Sequence, residues 1–128
     1  EATFIKSDAL VWVSKQDKGA HLRKNLPLVV APEGCLYRRR LLQQLSRINQ
    51  PWSIVYTIPG LTGIQVAIGE GLGVTALAKS TVPSTLDIIP ESDRFPVLGE
   101  ISISLLRHSN SRGEAVDLLA EYIKTSLL

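Results

Sequence analysis

Leu28-Val29-Val30-Ala31-Pro32-Glu33-Gly34 opens the stretch that decides the fold, and Gly69-Glu70-Gly71-Leu72-Gly73-Val74-Thr75-Ala76-Leu77 closes it. Between them the pattern reads strand, turn, helix, strand, turn, helix, and Val74 to Ala78 is a third buried strand. Two successive β–α units and a further strand make half of an open parallel sheet, in which ligands sit where strand carboxyl ends meet helix amino ends. The first strand is expected over Leu28 to Ala31, cut by Pro32-Glu33-Gly34. The helix after it runs from about Cys35 to Ile48, because Tyr37, Leu41, Leu45 and Ile48 recur at helical spacing. Asn49-Gln50-Pro51 stops it, since Pro51 cannot continue a helix. Ser53 to Ile58 is the second strand. Pro59-Gly60 opens a helix with Leu61, Ile64, Ala67 and Ile68 on its apolar face, and Gly69 and Gly71 suit a left-handed helix stop.

Outward from that core, Asp8 to Val13 reads as a strand and Ser14 to Asn25 as a polar loop with room for one helical turn. Leu86 to Ile89 is a fourth short strand, antiparallel or at an edge, and Glu91 to Gly99 a linker of turn formers. Glu100 to His108 alternates like a half-buried strand. Gly113 to Leu127 is amphipathic and predicts a closing helix.

Composition narrows the function. The chain has 128 residues, 45% hydrophobic and 20% charged, as an ordinary globular domain would. A net charge of +2 is too small to argue for nucleic acid or an anionic membrane as a direct partner. No apolar run is long enough to span a bilayer, and no export signal is readable at the amino terminus. The single cysteine, Cys35, rules out an intrachain disulfide and a cysteine-cluster zinc site. A cytoplasmic setting is expected. The chain lacks methionine and opens on Glu1-Ala2-Thr3-Phe4, which reads as a piece of a longer protein.

The ordered blocks resemble a known family. Pro27-Leu28-Val29-Val30-Ala31-Pro32-Glu33-Gly34-Cys35-Leu36-Tyr37-Arg38 is similar to the start of the second subdomain in LysR-type transcriptional regulators. Pro51-Trp52-Ser53-Ile54-Val55-Tyr56-Thr57 and the glycine turn at Gly69 to Gly73 follow in the family's order and spacing, and Ile101 to Arg107 resembles the chain's return to the first subdomain. The resemblance implies an α/β, Rossmann-like open sheet of the periplasmic-binding-protein type II kind. Residues 1–12 would end the first subdomain, 13–98 would form the second, and 99–128 would return to the first. It also implies a small-molecule effector, such as a carboxylate, bound in the cleft between subdomains. A homo-oligomer would then hold DNA only through a winged helix-turn-helix absent from this chain.

On that resemblance, Gly34, Cys35 and Leu36 line one wall of the cleft, with Thr57, Pro59 and Gly60 in the equivalent place after the next strand. Independently, a helix amino terminus with free N–H groups favours an anion at the first loop. The Thr57 hydroxyl can donate or accept, and Gly60 leaves room for backbone approach. The plainer reading of both loops is a tight turn and a helix cap.

Other motifs carry less. Gly69 to Gly73 is not a dinucleotide fingerprint, because that motif needs a strand before the glycines and a helix after them. Arg38-Arg39-Arg40 reads as a solvated helix face. Cys35 at a helix start could be a redox sensor, but no resolving cysteine accompanies it. His21 and His108 lack ligand-spaced neighbours, so no metal is expected, and Ser84, Asp87 and His108 lack a nucleophile elbow. No cofactor and no catalytic chemistry are expected. The alternatives are a solute-binding α/β module or enzyme, and a self-association module using the strand Ile101 to Leu106 and the last helix.

Overall fold

The computed structural model describes residues 2–107; the helix expected over Gly113 to Leu127, and His108, lie outside the described residues. Its elements are β1 (Ala2–Ser14), β2 (Leu26–Val30), α1 (Leu36–Arg47), β3 (Trp52–Thr57), α2 (Leu61–Gly69), β4 (Thr75–Ala78), β5 (Asp87–Ile89) and β6 (Glu100–Arg107). Three short 3₁₀ turns lie between them, two of which, Gln16–Lys18 and Ala20–Leu22, sit in the expected polar loop.

β2 is buried on both faces along its whole length, as strands with helices on both sides of a parallel sheet are. It pairs in parallel with β3 on one side. On the other it meets the start of β4 through the parallel bridge Leu28–Val74, with Val29 N donating to Val74 O at 3.0 Å and Val74 N to Pro27 O at 2.8 Å. The strand begins at Leu26 rather than Leu28. Pro27 is tolerated because its nitrogen shares the side of its carbonyl, ahead of the single bridge to β4, where no ladder bond is lost.

The chain leaves β2 through α1 toward β3, then returns through α2 past β2 to β4. Crossovers of one hand running in opposite directions must place their helices on opposite faces. Two separate cores follow. Leu36, Leu41 and Leu45 of α1 pack with Leu28, Val30, Val74, Ala76 and Trp12. Ile64, Ala67 and Ile68 of α2 pack with Val29, Val13 and Leu77.

Both helices end in Schellman geometry. In α2, Gly71 N donates to Ile68 O and Leu72 N to Ala67 O, with Gly71 at φ 79°. In α1, Asn49 takes the left-handed position at φ 57°, with Asn49 N bonded to Ser46 O and Gln50 N to Leu45 O. The helix is therefore stopped by Asn49 before Pro51 is reached.

β1 is longer than the Asp8 to Val13 segment expected. Its last five residues lie between β4 and β5, antiparallel to both, in register Leu10–Ala78 and Trp12–Ile89. Its first eight pair antiparallel with β6, from Ala2–Arg107 to Ala9–Glu100. The strand Ile101 to Leu106 thus already has one edge occupied by β1. Ser14, at the end of β1, is fully buried, and its hydroxyl has no hydrogen-bond partner among the described residues. Ser14→Ala is expected to raise the unfolding free energy by up to about 1 kcal/mol, seen as a higher urea midpoint, because an unmatched buried hydroxyl is destabilising. A lower midpoint would mean that the hydroxyl is paired after all.

The Glu91 to Gly99 segment has no regular structure, yet it is not a loose linker. Phe95, Pro96 and Leu98 are buried. Arg94 donates to the carbonyls of His21 and Arg23 and to Gln50 Oε1, while Arg40 donates to Leu98 O at 3.3 Å and Glu100 O at 2.7 Å.

Candidate functional site

An open sheet splits at the point where its connections reverse direction, and here that point is between β2 and β4. A cavity of about 200 Å³ lies there. Val30 and Ala31, at the carboxyl end of β2, form one side, and Thr75, Ala76 and Leu77 of β4 form the floor. Cys35, Tyr37, Arg38 and Leu41 contribute from α1, and Gly60, Leu61 and Ile64 from α2. The walls are mostly apolar, as small-molecule sites usually are.

The sequence places both helix starts at this opening. α1 has Cys35 as its N-cap residue and α2 has Gly60, neither with a side-chain capping bond. The first helical hydrogen bonds are Arg39 N to Cys35 O and Ile64 N to Gly60 O, so the N–H groups of the preceding turn face outward without intrahelical partners. Gly34 and Gly60 both lie in the left-handed region, at φ 97° and 94°. A side chain at either position would be strained although the space around it is open. Each turn is therefore a glycine turn for backbone reasons.

Of the six residues singled out in the sequence, Cys35 and Gly60 line the cavity itself. Gly34 is exposed and borders, with Glu33, Cys35 and Arg38, a second groove along the outer side of α1. Leu36 is buried in the core beneath α1, and Thr57 and Pro59 are exposed beside the cavity's lining residues.

Sequence reasoning missed Arg38. The Arg38-Arg39-Arg40 run is not one solvated face: Arg39 is exposed, whereas Arg40 holds the Leu98 and Glu100 carbonyls. Arg38 lies on the cavity wall, with its side chain 16% exposed, donating through Nη1 to Ala31 O at 3.0 Å. The signal was available. Arg38 follows Cys35 by three positions, so it falls on the same side of the helix.

A family model described as the LysR substrate binding domain matches residues 5–128. Among curated proteins, the HTH-type transcriptional regulator PecT of Dickeya dadantii is 23% identical over 122 residues, 95% of this chain but 39% of that protein's length. Among solved structures, the regulatory domain of Synechocystis PCC6803 CcmR, in complex with 2-PG, superposes with a TM-score of 0.52 at 15% identity, covering 96% of this chain and 67% of that one. The effector binding domain of QuiR, in complex with shikimate, gives 0.54 at 12% identity, covering 95% and 65%. At such identities the superpositions establish the fold, a mixed α/β open sheet of the periplasmic-binding-protein type II kind. The chain spans about two fifths of the curated relative and about two thirds of the solved regulatory domains.

Proposed function

The chain belongs to the LysR substrate binding domain family, and from that premise we propose that it is the effector-sensing part of a bacterial transcriptional regulator acting in the cytoplasm. The observation that carries this reading is the cavity at the β2–β4 switch point, roofed by the starts of α1 and α2. The effector is a small anionic metabolite. Cys35 and Gly60 contact it from the cavity wall; Thr57 and Pro59 frame the mouth, Gly34 makes the turn that presents Cys35, and Leu36 anchors the first loop from beneath. The ligands named for CcmR and QuiR, 2-PG and shikimate, support a small metabolite as the class.

Residues 13–98 form the second subdomain, while residues 1–12 and 99–128 run to and from the first. The β1–β6 ribbon, from Ala2–Arg107 to Ala9–Glu100, supports that division, because two paired strands leaving one sheet together make a natural connection. Effector bound between subdomains stabilises a closed arrangement over an open one, and that population shift alters how an oligomer of the whole protein holds DNA. Binding rather than turnover is favoured by the lining, in which, among the described residues, Arg38 is the one charged residue and no carboxylate or histidine stands ready as acid or base.

Calorimetric titration with a panel of small carboxylates tests the site. At least one is expected to bind, and Ala31→Leu, which adds bulk at the cavity side, is expected to weaken it at least tenfold. Thr57→Val should weaken it by less. Equal affinity in the Ala31→Leu chain would remove the cavity from the site.

A further inference from the structure

We propose that Arg38 is the specificity-determining residue of the cavity and that it selects a monocarboxylate carrying a compact apolar body. The proposal rests on the effector-site reading and adds the ligand's chemical form to it.

The charge on Arg38 is poorly matched where it stands. A guanidinium has five N–H donors in a planar fork, and in the described structure Arg38 makes one hydrogen bond, from Nη1 to the Ala31 carbonyl. Its charge partner is Glu33, at 3.9 Å from Nη2, and the Glu33 side chain is 91% exposed. An exposed carboxylate at the limit of ion-pair distance contributes little. Meanwhile the Arg38 side chain, only 16% exposed, lines a cavity whose wall also carries Leu41, Leu61 and Ile64. A mostly buried cation among apolar side chains is destabilising unless a counter-charge arrives. A ligand carboxylate would supply it, with two parallel N–H···O bonds to the remaining donors. The Ala31 bond already holds the side chain across the Pro32 to Cys35 loop, so little freedom is lost on binding.

Volume and lining set the rest of the ligand. The cavity holds about 200 Å³, and a cavity of about 150 Å³ lined by Leu, Ile and Phe accepts a benzene-sized body. A ring or short branched chain therefore fits behind the carboxylate. Beyond Arg38, the polar side chains at the wall among the described residues are Cys35, Tyr37 and Thr75, too few to hold a heavily hydroxylated body.

Titrating the whole chain with cyclohexanecarboxylate, cyclohexanecarboxamide and acetate tests this without any substitution. The carboxylate is expected to bind at least tenfold tighter than the amide, and tighter than acetate by a similar factor. Arg38→Gln should erase the carboxylate–amide difference by weakening the carboxylate at least tenfold; Arg38→Lys should restore part of it. Equal binding of the carboxylate and amide to the unsubstituted chain overturns the role of Arg38 but leaves the cavity as a site. Binding of acetate but not of the cyclohexane pair overturns the apolar body and leaves an anion site. Absence of binding by all three, with other small carboxylates binding in the panel above, overturns this proposal alone. Absence throughout overturns both.

Discussion

Trp12→Ala is expected to lose about 3–5 kcal/mol of folding free energy, the range for emptying a large aromatic side chain from a packed core. Domains of this size are stable by about 5–15 kcal/mol in all, so the variant should be largely unfolded at modest urea concentration. Trp12 is 1% exposed and sits in β1 between β4 and β5, opposite Ala76 and Ile89. Its ring meets the Phe95 ring edge to face at 5.3 Å, and its Nε1 donates to Pro96 O at 2.8 Å. It therefore joins the sheet to the 91–99 segment twice, by packing and by a buried hydrogen bond. Trp12→Phe separates the two. It keeps an aromatic ring but strands the Pro96 carbonyl, so about 1–3 kcal/mol should be lost. Urea unfolding followed by far-ultraviolet circular dichroism measures both. A loss below about 1 kcal/mol for the alanine variant would mean that the 91–99 segment is not seated on the sheet as described.

Gly73→Ala is expected to lose about 2–4 kcal/mol, as substitutions that break buried backbone bonds do. A Cβ built at Gly73 lies 2.8 Å from Pro27 O, 3.3 Å from Pro27 C and 3.0 Å from Val29 Cγ2. The obstacle is backbone, so it cannot swing aside. β2 and the start of β4 must separate, at the expense of the Val74 N–Pro27 O and Val29 N–Val74 O hydrogen bonds. The same separation shifts Val30 and Ala31 against Thr75 and Ala76, the two strand walls of the cavity, so ligand affinity should fall with stability. Gly63→Ala is the comparison. Its Cβ would approach Ile58 Cγ2 at 2.6 Å, but a side-chain methyl can move, and the loss should be smaller. If the two variants are equally stable, the close approach of β2 and β4 at Gly73 is not a real constraint.

Cys35 is partly buried at the cavity wall as the N-cap residue of α1, and the chain has no second cysteine to resolve an oxidised thiol. No group of three histidine, cysteine, aspartate or glutamate residues that could hold a metal occurs among the described residues. None of the described helices is long and apolar enough to cross a membrane.

The order β2, α1, β3, α2, β4 was legible in the residues because it depends on local patterns. Apolar spacing along Leu41 and Leu45, the left-handed glycine at Gly71 and the turns at Gly34 and Gly60 each act within a few residues. From them the two loops that frame the cavity could be located, and Cys35 and Gly60 do line it. The route of β1 was not legible. Leu10 pairs with Ala78 and Trp12 with Ile89, and a short apolar strand carries no mark of which distant edge it will join. The fate of the arginines was hidden for a related reason. Arg38, Arg39 and Arg40 are chemically alike in the sequence, and only the passage of Ala31 beside one and of Leu98 and Glu100 beside another separates them. Local backbone preference thus chose the elements and their turns, while long-range hydrogen bonding and packing, which depend on where remote segments arrive, decided which side chains face the cavity.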